Sequence, residues 1–241
     1  GMPTRGACTA VELDPNSSRG KRTLYATMYG GGVYKSTDGA KTWRAINAGL
    51  RTDRNNHFTD LKLHADGGLF ALCGPSKGKD NLPVAVGGLF RSADGGETWT
   101  DLIAGLKLFH PYSFAVDPVD SRIIYLAASA VPRNHGQEGL YKSIDGGATW
   151  RKIKIDWPGG PYSYVHPRFL TVDPYRPERV WMSVGACGLM VSTDRGETFE
   201  QVKGLPFRGA NRVTVDPRDH ETIWVSTFGG GIWRGPAKEK D

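Results

Sequence analysis

The sequence has few cysteines and no long apolar segment. Cys8, Cys73 and Cys187 are the only cysteines in 241 residues. An odd number without metal-ligand spacing excludes a multi-disulfide scaffold and favours free, buried thiols. No apolar run approaches the roughly 18–20 residues that cross a bilayer as a helix, so the sequence predicts no membrane span.

Concentrated charge is also missing. The net charge of +6 comes from Lys and Arg scattered among Asp and Glu, without the basic block or basic helix of a nucleic-acid reader. We therefore expect no nucleic-acid partner. The six histidines show no H-x-x-H or H-x-E spacing, so the sequence predicts no metal site and no cofactor.

Glycine and a repeated motif are abundant. The 32 glycines and 15 prolines are spread along the chain, as in a turn-rich folded protein. A segment of the form Ser-x-Asp-x-x-x-Thr-(Trp/Phe) occurs four times, at 36–43, 92–99, 143–150 and 192–199. Its aspartates lie 56, 51 and 49 residues apart, a period typical of propeller blades.

A common pattern of strands surrounds the motif. An alternating apolar segment ends at an aspartate, an apolar-aromatic pair follows, and a third short strand precedes each motif. The five aspartates are Asp14, Asp66, Asp117, Asp173 and Asp216. The pattern predicts an all-β chain, a β-propeller of four-stranded antiparallel blades with about five blades. We expect one domain over 1–241, with repeats beginning near 9, 59, 112, 168 and 211.

The fifth repeat has neither the motif nor a fourth strand. It stops after the third strand, at Ile232-Trp233-Arg234-Gly235. Two alternatives remain open at this point. Either five blades close with one short outer edge, or the chain is a piece of a larger propeller.

These repeats resemble the Asp-box (BNR) repeats of sialidases, xyloglucan-degrading glycosidases, sortilin-type receptors and photosystem assembly propellers. The resemblance covers essentially the whole chain and implies the propeller fold, a carbohydrate-directed function and an extracellular or periplasmic location. These families share a scaffold and differ in function. Tyr29 stands where the similar xyloglucanase segment carries a catalytic Asp, and no Arg-Ile-Pro motif of sialidases is visible.

The motifs predict which end of the blades could bind a ligand. Connections after the first and third strands share one face of a meander, so a ligand site is expected on the opposite face. That face is rich in Tyr, Trp, His and Arg, which suit sugar rings and hydroxyls. The predicted ligand-binding residues are Tyr29, His57, His110, Tyr112, Arg133, His135, Trp157, Tyr162, Tyr164, His166, Arg168 and Phe228.

Two function classes are compatible with this face. A glycoside hydrolase needs two carboxylates about 5–10 Å apart, and the candidates are Asp156 as the acid with Glu138 or Asp60 as its partner. The alternative is a noncatalytic propeller that binds a glycan, a peptide or a partner protein. The scarcity of carboxylates favours the alternative, and a structural or assembly role is a third hypothesis.

Overall fold

The structure is a computed structural model that divides into two compact units, Gly1–Pro111 and Tyr112–Asp241. It describes residues 1–2, 6–52, 57–77, 83–106, 108, 110–129, 138–157, 167–185, 187–207 and 209–237. Within these residues the regular structure is β, apart from one 3₁₀ turn at Ala104–Leu106. None of the described residues belongs to a helix long and apolar enough to cross a bilayer.

The first unit contains two four-stranded antiparallel sheets. The first sheet is β1 (Ala7–Leu13), β2 (Leu24–Tyr29), β3 (Gly32–Ser36) and β4 (Arg44–Ala45), paired in chain order. The strands that follow are β5 (Phe58–Leu63), β6 (Leu69–Cys73), β7 (Ser76–Lys77), β8 (Pro83–Ala85), β9 (Gly88–Ser92) and β10 (Thr100–Asp101). The second sheet has the order β10-β9-β6-β5, and β7 pairs with β8 as a separate hairpin.

Among the described residues, the second unit contains three sheets. The third sheet is β11 (His110–Val116), β12 (Ile124–Ser129), β13 (Gly139–Ser143) and β14 (Arg151–Ile153). The fourth is β15 (Pro167–Val172), β16 (Val180–Val184), β17 (Gly188–Ser192) and β18 (Glu200–Gln201). The fifth has three strands among the described residues, β19 (Ala210–Val215), β20 (Thr222–Thr227) and β21 (Ile232–Pro236). The predicted all-β fold of four-stranded antiparallel blades is confirmed.

The second strand of each sheet forms the core. All five residues of β6 and all five of β16 are buried. In the second unit, β15 packs against both β12 and β19. Full burial of one large apolar side chain stabilises the fold by about 1.5–3 kcal/mol. Phe58, Phe70, Tyr125 and Trp181 are among the largest fully buried side chains.

The three cysteines are free, as the sequence predicts. The expected burial is wrong for Cys8, which is exposed, and correct for Cys73 and Cys187, which are buried. Burial raises the pKa of the Cys73 thiol to about 12. The thiolate is the reactive form, so Cys73 should be inert in the folded chain.

We therefore expect one thiol per folded chain to react rapidly with an excess of an aromatic disulfide, and three after denaturation. Cys8→Ser should abolish the rapid reaction and leave the other two thiols to react on unfolding. A second rapidly reacting thiol in the folded protein would contradict the burial of Cys73 and Cys187.

Candidate functional site

The four repeated motifs form one kind of turn, here called the Ser-Asp turn (residues 36–43, 92–99, 143–150 and 192–199). In the third sheet, Asp145 Oδ1 accepts hydrogen bonds from the Ser143 hydroxyl and the Thr149 amide, both at 2.8 Å. Asp145 Oδ2 accepts one from the Thr149 hydroxyl at 2.5 Å. The buried Ser143 hydroxyl in turn accepts from the Gly147 amide at 2.8 Å. These side chains satisfy the turn's own backbone, which is an architectural role.

The Ser-Asp turn also joins neighbouring sheets. The Tyr125 hydroxyl and the Lys142 ammonium of the third sheet each donate to the Arg195 carbonyl of the fourth-sheet turn, at 2.7 Å. Glu197 of that turn pairs with Lys142 and with Arg151, at 2.7 and 2.6 Å. In the first unit, Lys35 donates to the Gly95 carbonyl of the second-sheet turn at 3.0 Å.

Arg195 is an exception to the glycine preference of this turn. Its φ of 60° lies in the left-handed region, where the other three turns have glycine at the same position. Its guanidinium pairs with the fully buried Asp117 carboxylate of the third sheet. The strain at Arg195 is therefore offset by the counter-ion that it supplies to a buried charge.

The turns make stability depend on pH. Hydrogen bonds from the hydroxyl and amide of Thr42 lower the pKa of Asp38 from 3.8 to about 2. Those of Thr149 do the same for Asp145. A carboxyl with a depressed folded-state pKa adds stability above its unfolded pKa and loses it as the pH falls through the folded pKa.

We expect the urea midpoint to be constant above about pH 4 and to fall between about pH 4 and pH 2. The double variant Asp38→Asn/Asp145→Asn should be less stable at pH 7 and show a flatter profile in that window. Parallel profiles for the variant and the wild type would show that these carboxylates do not cause the acid sensitivity.

Exposed aromatic groups lie at the ends of the sheets opposite the Ser-Asp turns. In the fourth sheet, Val180 pairs with Ser192 at the end that bears the Ser-Asp turn, and Pro167 pairs with Val184 at the other end. Phe169 lies near this other end. Its ring meets the Tyr112 ring edge to face with centroids 5.6 Å apart, and the Arg212 guanidinium lies 5.1 Å from its centroid.

These three residues, Tyr112, Phe169 and Arg212, are here called the aromatic platform. Tyr112 and Phe169 are half-buried and Arg212 is exposed, so part of each ring faces solvent. The rings provide apolar surface for the C–H face of a sugar, and the planar guanidinium provides N–H donors for its hydroxyls. The platform can therefore bind a polar, ring-shaped ligand.

Bulges in the first strands position two members of the platform. The pairing register shifts between Pro167 and Leu170 in β15, and between Ala210 and Val213 in β19. The Ser183 hydroxyl accepts from the Phe169 amide at 3.0 Å, and the Ser226 hydroxyl from the Arg212 amide at 3.1 Å. These hydroxyls bond amides that the ladder leaves unpaired, so the bulges can turn Phe169 and Arg212 outward.

The first unit has a separate aromatic pair at the corresponding end of its sheets. The rings of Tyr29 and His57 are stacked, with centroids 4.3 Å apart and planes inclined by 6°. A β-bridge joins the same two residues, and His57 Nδ1 lies 3.4 Å from the Pro75 carbonyl oxygen. Tyr29 is 46% exposed, so solvent reaches the Tyr29 side of this stacked pair.

The remaining predicted ligand-binding residues have varied positions. Phe228, in the turn between β20 and β21, is 87% exposed. Trp157 packs against the core of the second unit, and His110 and Arg168 are half-buried. Five others lie outside the described residues: Arg133, His135, Tyr162, Tyr164 and His166.

The three candidate catalytic carboxylates differ in exposure. Asp60 is 5% exposed in β5, and its Oδ1 accepts from the Leu61 amide at 3.0 Å. Glu138 is half-buried immediately before β13, and Asp156 is exposed three residues after β14. Since Leu140 pairs with Ile153, the register continued by two residues brings position 138 opposite position 155. Glu138 and Asp156 thus lie at one end of the third sheet, the end opposite its Ser-Asp turn.

Two residues of the platform were not predicted from the sequence as ligand-binding, namely Phe169 and Arg212. Phe169 sits beside Leu170, on the face of β15 that alternation assigns to solvent. A large aromatic residue at a position expected to face solvent is the sequence feature that could have identified Phe169 as a ligand-binding residue. Among the described residues, no group of three or more His, Cys, Asp or Glu could hold a metal ion.

No protein-family model matches the chain. The probable oligoxyloglucan-reducing end-specific xyloglucanase of Neosartorya fischeri is 30% identical over 205 residues, which are 78% of this chain and 25% of that protein. Xyloglucanase Xgh74A of Acetivibrio thermocellus is 26% identical over 227 residues, 89% of this chain and 24% of its own length. The chain is therefore homologous to xyloglucanases and spans about a quarter of their length.

Solved structures show the same fold. The GH74 xyloglucanase from Xanthomonas campestris aligns with a TM-score of 0.69 and 22% identity, over 97% of this chain and 37% of that one. YCF48 from Cyanidioschyzon merolae aligns with a TM-score of 0.65 and 16% identity, over 99% of this chain and 70% of that one. At these identities the likeness concerns the β-propeller fold alone.

Proposed function

We propose that the chain is a glycan-binding part of a β-propeller glycoside hydrolase directed at xyloglucan or a related β-glucan. The observation that carries the proposal is the aromatic platform of Tyr112, Phe169 and Arg212, in a chain homologous to xyloglucanases. The relatives are named as xyloglucanases, so the ligand proposed is xyloglucan rather than a sialoside. The Tyr29–His57 stack and Phe228 are proposed as additional contact points for the same class of ligand.

Affinity electrophoresis tests the binding. The folded chain should be retarded in a gel that contains soluble xyloglucan and should run unretarded in a gel that contains dextran. Equal mobility in the two gels would contradict the proposal. Retardation by both polysaccharides would indicate nonspecific adhesion and would contradict it as well.

For hydrolysis we propose Glu138 and Asp156, because they share one end of the third sheet and are accessible. Asp60 is a weaker candidate, since its carboxyl is buried in β5 and accepts from a backbone amide. A hydrolase needs one carboxyl as the proton donor and another as base or nucleophile.

The expected result is that Glu138→Gln and Asp156→Asn each lower the release of reducing ends from xyloglucan by at least about 100-fold while gel retardation is unchanged. Thr100→Ala, on an exposed residue of the first unit, serves as the control. If the wild type is retarded by xyloglucan yet releases no reducing ends, the noncatalytic alternative of a glycan-binding propeller is correct.

A further inference from the structure

The bulge in β15 places a second arginine beside the aromatic platform. The pairing register of β15 with β16 shifts between Pro167 and Leu170, so Arg168 and Phe169 together lie opposite one residue, Ser183. A bulge of this kind changes the direction of the side chains that it contains. Arg168 is therefore the immediate chain neighbour of the residue that carries the platform's central ring.

Arg168 has a donor without an acceptor. Its Nε is buried and forms no hydrogen bond with any described residue, whereas the residue as a whole is half-buried and reaches solvent. By contrast, Arg179 and Arg195 of the same sheet each pair with a buried aspartate. An unpaired buried N–H is unfavourable, so a ligand that supplies an acceptor to Arg168 is favoured.

The acidic and basic groups of the fourth and fifth sheets are separated. Among the described residues from β15 to β21, the acidic ones all lie in the turns at one end of the sheets or directly after the Ser-Asp turn in β18: Asp173, Glu178, Asp194, Glu197, Glu200, Asp216, Asp219 and Glu221.

The other end of these two sheets, where the platform lies, is basic. It has Arg168, Arg212 and the exposed Lys203. Lys203 comes directly after Val202, whose amide donates to the Leu189 carbonyl near the start of β17. The electrostatic potential at this end is therefore positive and favours an anionic ligand group.

The chemistry of this surface indicates a carboxylate on a sugar. The planar guanidinium binds a carboxylate through two parallel N–H donors, which fixes the position of the carboxylate. The rings of Tyr112 and Phe169 suit the C–H face of a pyranose. A uronic-acid residue carries both features, a pyranose ring and a carboxylate that is ionised at neutral pH.

We propose that Arg168 and Arg212 bind the carboxylate of a uronic-acid residue whose ring stacks on Phe169. The substrate class is then a xyloglucan-type glucan with acidic substituents. This inference rests on the proposed glycan-binding function and adds the charge of the ligand to it. The acidic residue lies over the fourth and fifth sheets rather than over the third, where Glu138 and Asp156 would repel it.

A matched pair of ligands tests the recognition of charge. A xyloglucan oligosaccharide is oxidised so that its free primary hydroxyls become carboxylates, and the untreated oligosaccharide is the neutral control. By isothermal titration at low ionic strength, the wild type should bind the oxidised form about tenfold more tightly than the neutral form. Added salt should reduce this preference, because it screens charges that solvent reaches.

Three variants locate the preference. Arg168→Gln should reduce it to about twofold or less, and Arg168→Lys, which keeps the charge, should retain most of it. The melting temperature checks the folding of both. Arg218→Gln removes the same charge from an exposed arginine at the other end of the fifth sheet and should keep the tenfold preference. A preference that survives Arg168→Gln, or that Arg218→Gln abolishes equally, would overturn the proposal.

The neutral form separates this proposal from the proposed function. If the wild type binds both forms with equal affinity, the glycan-binding function stands and the recognition of a carboxylate is wrong. If neither form binds, both proposals are wrong. Binding of the oxidised form alone would support the acidic ligand and contradict the binding of neutral xyloglucan.

Discussion

Replacing Arg179 by methionine is expected to destabilise the second unit by about 3–5 kcal/mol, the largest stability effect of any substitution considered. The Arg179 side chain is 4% exposed and that of Asp173 is fully buried. Two guanidinium nitrogens donate to Asp173 Oδ2 at 2.6 and 2.8 Å, and a third contact goes to the His220 carbonyl at 3.0 Å. Methionine fills much of the volume and leaves the carboxylate buried without its counter-ion.

The control for this prediction is Arg176→Met. Arg176 is 46% exposed and pairs with Glu221, which is 54% exposed. An exposed pair of this kind contributes about 0–1 kcal/mol. Urea denaturation should separate the two variants clearly. Asp173→Asn introduced into the Arg179→Met background should recover part of the loss, because it removes the stranded charge. Equal stabilities for Arg176→Met and Arg179→Met would contradict the argument.

Phe169→Ala is expected to weaken the binding of a xyloglucan oligosaccharide by about 30-fold or more. Phe169 is the central member of the platform and contacts both Tyr112 and Arg212. Truncation of an aromatic anchor at the centre of a binding surface typically costs about 2 kcal/mol or more, which corresponds to that change in Kd. The loss should appear mainly in the dissociation rate.

Tyr175→Ala is the matched control. Tyr175 is 44% exposed and stacks on His220 with ring centroids 3.4 Å apart, at the end of the fourth sheet that bears the Ser-Asp turn. Its removal should leave the affinity unchanged. If Tyr175→Ala weakens binding as much as Phe169→Ala does, exposed aromatic surface in general is responsible, and the platform has no special role.

The fold could be predicted from the sequence because each blade repeats two local signals. Alternation of apolar residues gave the strands, and the Ser-x-Asp motif gave the turn between the third and fourth strands, where Ser143 and Asp145 bond the turn's own amides. Both signals act over a few residues, so no knowledge of distant contacts was needed. The fifth repeat lacks the motif, and its sheet has three strands among the described residues.

The candidate site was less predictable because it depends on contacts between sheets. The sequence predicts Tyr112 as a ligand-binding residue, but Phe169 contacts Tyr112, and Arg212 contacts Phe169, from bulges that interrupt the alternation. Arg195 stands at a position where the other three motifs have glycine, and its ion pair with the buried Asp117 explains why an arginine is there.

Isothermal titration of a xyloglucan oligosaccharide into the folded chain tests the central claim most directly. We expect a saturable, one-site isotherm for the wild type and for Tyr175→Ala, and heats of dilution alone for the double variant Tyr112→Ala/Phe169→Ala with an unchanged melting temperature. Absence of binding to the wild type, or an isotherm that the double variant leaves unchanged, would contradict the proposal that this surface binds a glucan.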